Sequence, residues 1–237
     1  MCRGCFAAQG FRRDAAETRA PAVPAPESVT AAPSGAAPRG AVLAAATQTS
    51  LGLAAAGLAA RWGLHAAHDA GFDAVPDVVA TLPILAVPLD ESRLAHGGAA
   101  VLAAAVVTAL RLALLQTWPD FRVETETANS TVLPALAPAD VAYVATASAV
   151  GEELLFRCAL MPALGKDAVA VIVAGTVFGV LHISGGRKAA FAVWATAVGC
   201  LYGTLAVATH DGAAPMLAHA LANVAGAALW KRQGEKT

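Results

Sequence analysis

Charge is scarce in this chain. Only 14% of the 237 residues are Asp, Glu, Lys or Arg, against about a quarter in ordinary soluble domains. Aromatic residues make up only 5%, and alanine is used in their place. That balance disfavours strands and favours helices. The net charge is −1, so nothing points to nucleic acid as a partner. The four cysteines do not build a disulfide framework. Cys2 and Cys5 make one CxxC with no second pair to complete a zinc site. The H-E-x-x-H spacing of soluble zinc proteases is missing, and so is any internal repeat of 20–50 residues. What remains is 57% hydrophobic with a mean hydropathy of +0.58, the composition of an all-α, polytopic membrane bundle. An alanine-rich soluble helical protein is the bland rival.

The first 40 residues stand apart. They carry five arginines, many alanines and five prolines but no apolar signal region, and they read as a disordered or transit-peptide-like segment. The transit-peptide reading points to a chloroplast membrane; the alternatives are the bacterial inner membrane or the endoplasmic reticulum. An N-terminal transmembrane region then runs from 41 to 135 and a second region from 136 to 230. Apolar runs predict spans at 41–60, 97–118 (with Arg111 inside), 139–161, 168–184, 189–209 and 213–230. Residues 74–89 hold three prolines and Asp77 and read as interfacial or re-entrant, with a seventh span as the alternative. Residues 119–131 read as a polar loop, and their Asn129-Ser130-Thr131 acceptor triplet as chance. Six spans put Arg39, Arg122, Arg187, Lys188, Lys231, Arg232 and Lys236 on one side and Arg61, Arg93 and Lys166 on the other, as the positive-inside rule favours.

The informative residues are polar ones at membrane depth. GEELLFR, residues 151–157, places two carboxylates and an arginine in an apolar helix, where each charge facing lipid costs about 2.5–3.5 kcal/mol. Glu153 and Arg157 are i,i+4 with the acid first, the better order for a pair on one face. Glu152 lies about 100° round the helix and has no partner in its own helix, which suits a carboxylate for acid–base work. Alternatively, both glutamates share Arg157 and only hold helices together. FGVLH brings Phe178 and His182 to one face of the next apolar helix, and HALAN does the same for His219 and Asn223 in the last. Three helices, each offering one polar face, can build a site inside a bundle. His65, His68, His96 and His210 read as surface residues. No serine or cysteine sits in a nucleophile motif, and Ser148 has no histidine tied to it. A Glu and a His can activate water, while a His and an Asn amide can stabilise an oxyanion. The same Glu and His set can also hold a divalent metal such as zinc, with Glu152, His182 and His219 as ligands.

EELLFR, FGVLH and HALAN follow in order the EExxxR, FxxxH and HxxxN motifs of the CPBP/Abi family of intramembrane proteases, the type II CAAX prenyl endopeptidase and bacteriocin-processing family, which residues 136–230 resemble. The resemblance implies that Glu152 and His182 activate water, that His219 and Asn223 stabilise the oxyanion, and that Glu153, Arg157 and Phe178 support them. It implies an endopeptidase acting on a membrane protein or prenylated peptide within the lipid bilayer, with no settled catalytic metal. Two other classes compete: a non-catalytic scaffold or immunity-type member of the same family, and a proton-coupled transporter. The transporter would call for internal duplication or broken helices in matching halves, and neither is visible.

Overall fold

A computed structural model describes residues 36–72, 76–84 and 91–234. Residues 1–35 of the transit-peptide-like segment, with the CxxC, therefore lie outside the described residues, while Arg39 and Gly40 at its end already belong to a helix. Those described fall in one compact unit, Ala32–Thr237, and contain no strand. Alanine-rich apolar runs form long helices: α1 (Arg39–Asp69), α3 (Glu91–Thr117), α5 (Pro138–Leu155), α7 (Ala168–Leu181), α8 (Ala189–Thr209) and α9 (Ala213–Gly234). Four of them, α1, α3, α8 and α9, are long and apolar enough to cross a membrane, and α7 is a shorter apolar helix. Leu51, Leu102, Val169 and Ile172 stay exposed on the outer faces. In water such positions would be a liability; against lipid tails they are solvated. The chain is a polytopic helical bundle.

Helix α5 does not stop at Leu155. It runs through a π-helical turn, Phe156–Leu160, into α6 (Met161–Leu164). Pro162 explains the irregularity, because it has no N–H to give to the carbonyl of Cys158 four residues back. That carbonyl is claimed instead by Arg61 of α1, whose Nη1 donates to it at 2.7 Å. The π turn thus sits directly after the two glutamates, and a buried arginine from another helix completes it.

Without a hydrophobic drive between helices in lipid, small residues decide where backbones can touch. A Cβ on Gly151 would lie 2.6 Å from the Ser50 carbonyl oxygen of α1, and one on Gly179 would lie 2.5 Å from the Ala192 carbonyl oxygen of α8. These two approaches fix the helices that carry Glu152 and His182.

Residues 119–131 are not a loop. They form most of α4 (Pro119–Val132). Pro119 pre-sets the first turn and Asp120 suits its dipole. The helix is amphipathic, burying Phe121, Glu124, Thr125 and Ala128, so polarity alone misled. In the 74–89 stretch, the described part is one short helix, α2 (Val78–Thr81), anchored by the Gly212 N–H donating to the Pro83 carbonyl at 3.0 Å.

Three contacts gather one end of the bundle. The Ala37 N–H donates to the Thr131 carbonyl at 2.9 Å. Glu124 of α4 accepts from the backbone of Lys188 in the 182–188 loop. Lys231 Nζ donates to the Leu133 carbonyl at 2.7 Å. Arg39, Arg122, Arg187, Lys188, Lys231 and Arg232 therefore gather towards one end; Lys236, expected with them, lies outside the described residues.

Candidate active site

Glu153 and Arg157 meet as the i,i+4 spacing predicts. Arg157 Nη1 donates to Glu153 Oε1 at 3.1 Å, and its Nε sits 3.1 Å from Oε2, off the line a hydrogen bond needs. Both side chains are fully buried. Arg157 Nη2 also donates to the Gly199 carbonyl of α8 at 3.0 Å. Its Cζ lies 4.4 Å from the Phe178 ring centroid, a cation–π contact. The pair joins α5, α7 and α8 behind the wall of a cavity. The i,i+4 spacing does not reveal its third member: His219 Nδ1 lies 2.9 Å from Glu153 Oε1.

The cavity holds about 660 Å³ and is lined by Glu152, Phe178, His182, His219 and Asn223 together. The three motif helices thus deliver their polar faces to one space. His65, His68, His96 and His210 do not line it; the first three are half-buried and only His210 is exposed. Ser148 lines it too, but its hydroxyl donates to the Ala145 carbonyl of its own helix.

Hydrogen bonds fix the tautomers. His182 Nδ1 is 2.7 Å from the Phe178 carbonyl oxygen. A carbonyl only accepts, so Nδ1 carries the proton and neutral His182 presents a lone pair at Nε2. His219 Nδ1 lies 2.9 Å from Glu153 Oε1; with the proton on Nδ1, its Nε2 is an acceptor. Both Nε2 atoms point at Glu152 Oε2, at 3.7 and 3.8 Å. That oxygen is buried and has no hydrogen-bond partner. Three acceptors converge at separations too long for direct bonds, the situation in which a water belongs between them. The rings are held edge and face: Phe178 lies 4.3 Å from His182, and Tyr202 stacks on His219 at 5.1 Å. Asn223 has no hydrogen-bond partner among the described residues, so its amide is open to the cavity.

The donor chemistry of Glu152, His182 and His219 is that of a zinc site. Among the described residues, however, no three His, Cys, Asp or Glu groups converge closely enough to hold a metal ion. The side chains as they stand do not form a metal site, and no step below runs through one.

Residues 134–225 match the family model described as type II CAAX prenyl endopeptidase Rce1-like. That stretch is similar to the Rce1-like family. All three motifs lie inside that range, and the match extends the polytopic architecture to an intramembrane protease family. No curated protein and no solved structure gives a match.

Several residues around the matched stretch carry no motif signal. Glu124 of α4 accepts from the backbone N–H of Lys188 and of Phe191, both at 2.8 Å. It caps α8 from a distance, because Lys188 at the N-cap position makes no side-chain cap. Arg187 lines the cavity from the same loop. Burial pulls its guanidinium below the ordinary arginine value, and the Glu152 charge acts the other way. Arg111 of α3 lines the cavity as well. Its one sequence signal is a lone charge in an apolar helix.

Proposed function

We propose that the chain is an intramembrane endopeptidase that hydrolyses a peptide bond of a membrane-associated protein with water activated by Glu152 and His182. The observation that carries this reading is the buried, unbonded Glu152 Oε2 faced by two imidazole lone pairs. A water there gives one O–H to the carboxylate and one to His182 Nε2, leaving its oxygen lone pair free. Glu152 takes the proton as the oxygen attacks the carbonyl carbon. The oxyanion is met by the Asn223 amide N–H; His219 joins as a second donor once its Nε2 has taken up a proton, a charge that Glu153, 2.9 Å from Nδ1, balances. Glu152 then returns the proton to the leaving nitrogen, giving an amine and a carboxylic acid that keeps the second proton of the water.

The protease character of the Rce1-like family and the motif resemblance support the same assignment, and CAAX-type processing is the substrate reading they favour. The test is cleavage of a panel of prenylated and plain membrane peptides by the purified full chain. Glu152→Gln and His182→Asn should abolish turnover while the protein stays folded. Equal cleavage by wild type and both variants, or full complementation of a knockout by Glu152→Gln, overturns the reading.

A further inference from the structure

A second space, of about 290 Å³, lies between α3, α4 and α9. It shares Thr108, Arg111 and Asn129 with the catalytic cavity but none of the motif residues. Among the described residues it is lined by two guanidiniums, Arg111 and Arg122, and one carboxylate, Glu126. Arg122 and Glu126 are i,i+4 on α4 in the base-first order, the poorer one for a pair, and no ion pair joins them. Glu126 instead accepts from Trp230 Nε1 at 2.7 Å. Arg111 makes no hydrogen bond and no ion pair among the described residues. A Cβ on Gly226 of α9 would come within 2.8 Å of its Nη1, so the glycine is what lets the guanidinium lie against that helix. The space therefore carries one positive charge in excess, a costly state in a low dielectric unless an anion shares it. A buried hydroxyl points the same way. Thr108, Thr117, Thr127 and Thr131 each donate to the carbonyl four residues back. Thr125 does not. It is 2% exposed, lines the space, and its Oγ1 has no hydrogen-bond partner. A buried donor left unpaired is costly, so a ligand that accepts from it is favoured.

We propose that this space binds the headgroup of an anionic phospholipid, with the phosphodiester held between Arg111 and Arg122 and the Thr125 hydroxyl donating to a phosphate oxygen. A phosphodiester carries one negative charge, which matches the single charge in excess. Its free oxygens only accept, which suits two guanidiniums and a hydroxyl, and the guanidinium fork fits them bidentately. A zwitterionic headgroup brings an ammonium of its own and leaves the excess in place. The depth is also that of a headgroup. Arg111 lies about 9 Å from the end of α3 at Thr117. Trp230 stands about one turn from the end of α9, where aromatic rings favour the interface. Leu112 and Leu229 complete the lining with apolar surface for the acyl chains. Basic pockets between membrane helices on the positive side suit such lipids, and Arg122 and Lys231 mark that side here. Arg111 and Arg122 lie outside the residues matched by the family model, and the binding does not rest on the endopeptidase reading.

The experiment titrates the purified full chain, in a neutral detergent, with dihexanoyl-phosphatidylglycerol or dihexanoyl-phosphatidylcholine. It reads the thermal midpoint and, by native mass spectrometry, the lipid retained. The glycerol lipid should raise the midpoint saturably and stay bound one to a chain, with an apparent Kd roughly tenfold or more below that of the choline lipid. Arg111→Gln and Arg122→Gln should each weaken it roughly tenfold, and Thr125→Val, which keeps the shape, roughly threefold or more. Arg232→Gln, outside the space, should leave it unchanged. Should Arg111→Gln fail to fold, the Arg122→Gln and Thr125→Val variants decide the matter. An equal response to the two lipids overturns the site, as does a preference that survives the pocket variants. A loss in Arg232→Gln as large as that in Arg122→Gln means diffuse, salt-screened attraction and overturns it too. If glycerophosphoglycerol without chains, or inorganic phosphate, binds as tightly as the lipid, the space takes a free anion and the proposal falls.

Discussion

Glu152 and Glu153 are adjacent in sequence and opposite in circumstance. Glu153 is fully buried, engages Arg157 and His219 through Oε1, and does not line the cavity. Glu152 faces the cavity with one oxygen unbonded. Substitution should separate them. Glu152→Gln keeps the shape and removes the base, so cleavage should fall by roughly 10²–10⁴-fold with the thermal midpoint in detergent nearly unchanged. Glu153→Ala leaves Arg157 as a buried, uncompensated charge, which destabilises by about 3–5 kcal/mol; scanning fluorimetry should show a marked drop in midpoint before any assay is run. A variant pair with the reverse pattern would reassign the two carboxylates. The i,i+4 rule predicts the Glu153–Arg157 pair from sequence and so frees Glu152. It cannot predict His219 Nδ1 on Glu153, because that contact joins residues 66 apart and depends on how α9 packs against α5.

At the level of elements, the helices that carry the motifs are legible because long apolar runs leave no other structure that satisfies the backbone in lipid. Helix α4 is not, because its sequence is polar and its apolar residues reveal themselves only as a stripe. Its role is to supply Glu124, which holds the backbone of Lys188 and Phe191 and so the segment that follows His182. Glu124→Ala should cost about 0.5–2 kcal/mol as a lost cap and lower kcat by displacing His182; Glu124→Gln, which still accepts, should restore most of both. Helix contacts give a second expectation. Gly151→Leu drives a side chain into the Ser50 backbone, which should part α1 from α5 and reduce the yield of monodisperse protein on size exclusion, whereas Gly52→Leu, with open space around it, should not.

For the molecule as a whole, the gathering of Ala37, α4, the 182–188 loop and Lys231 at one end makes topology testable. In a chain with its native cysteines replaced by serine, Arg122→Cys, Lys188→Cys and Lys231→Cys should all be labelled by a membrane-impermeant maleimide from one side, and Lys166→Cys from the other. Labelling of Lys188→Cys and Lys231→Cys from opposite sides would break the six-span arrangement. The charge asymmetry is readable in the sequence because loop lysines and arginines are few; the hydrogen bonds that realise it are not.

The bond from Arg61 to the Cys158 carbonyl has a wider meaning. It fastens α1, which precedes the matched stretch, to the turn directly after the motif glutamates. Ala45, Thr49 and Leu53 of the same helix form part of the cavity wall. The motif residues and much of the enclosure around them are therefore contributed by different stretches of chain. Exchanging side chains on α1 can widen or narrow the chamber without altering a single motif atom, so selectivity in this architecture is free to drift while the reaction stays fixed.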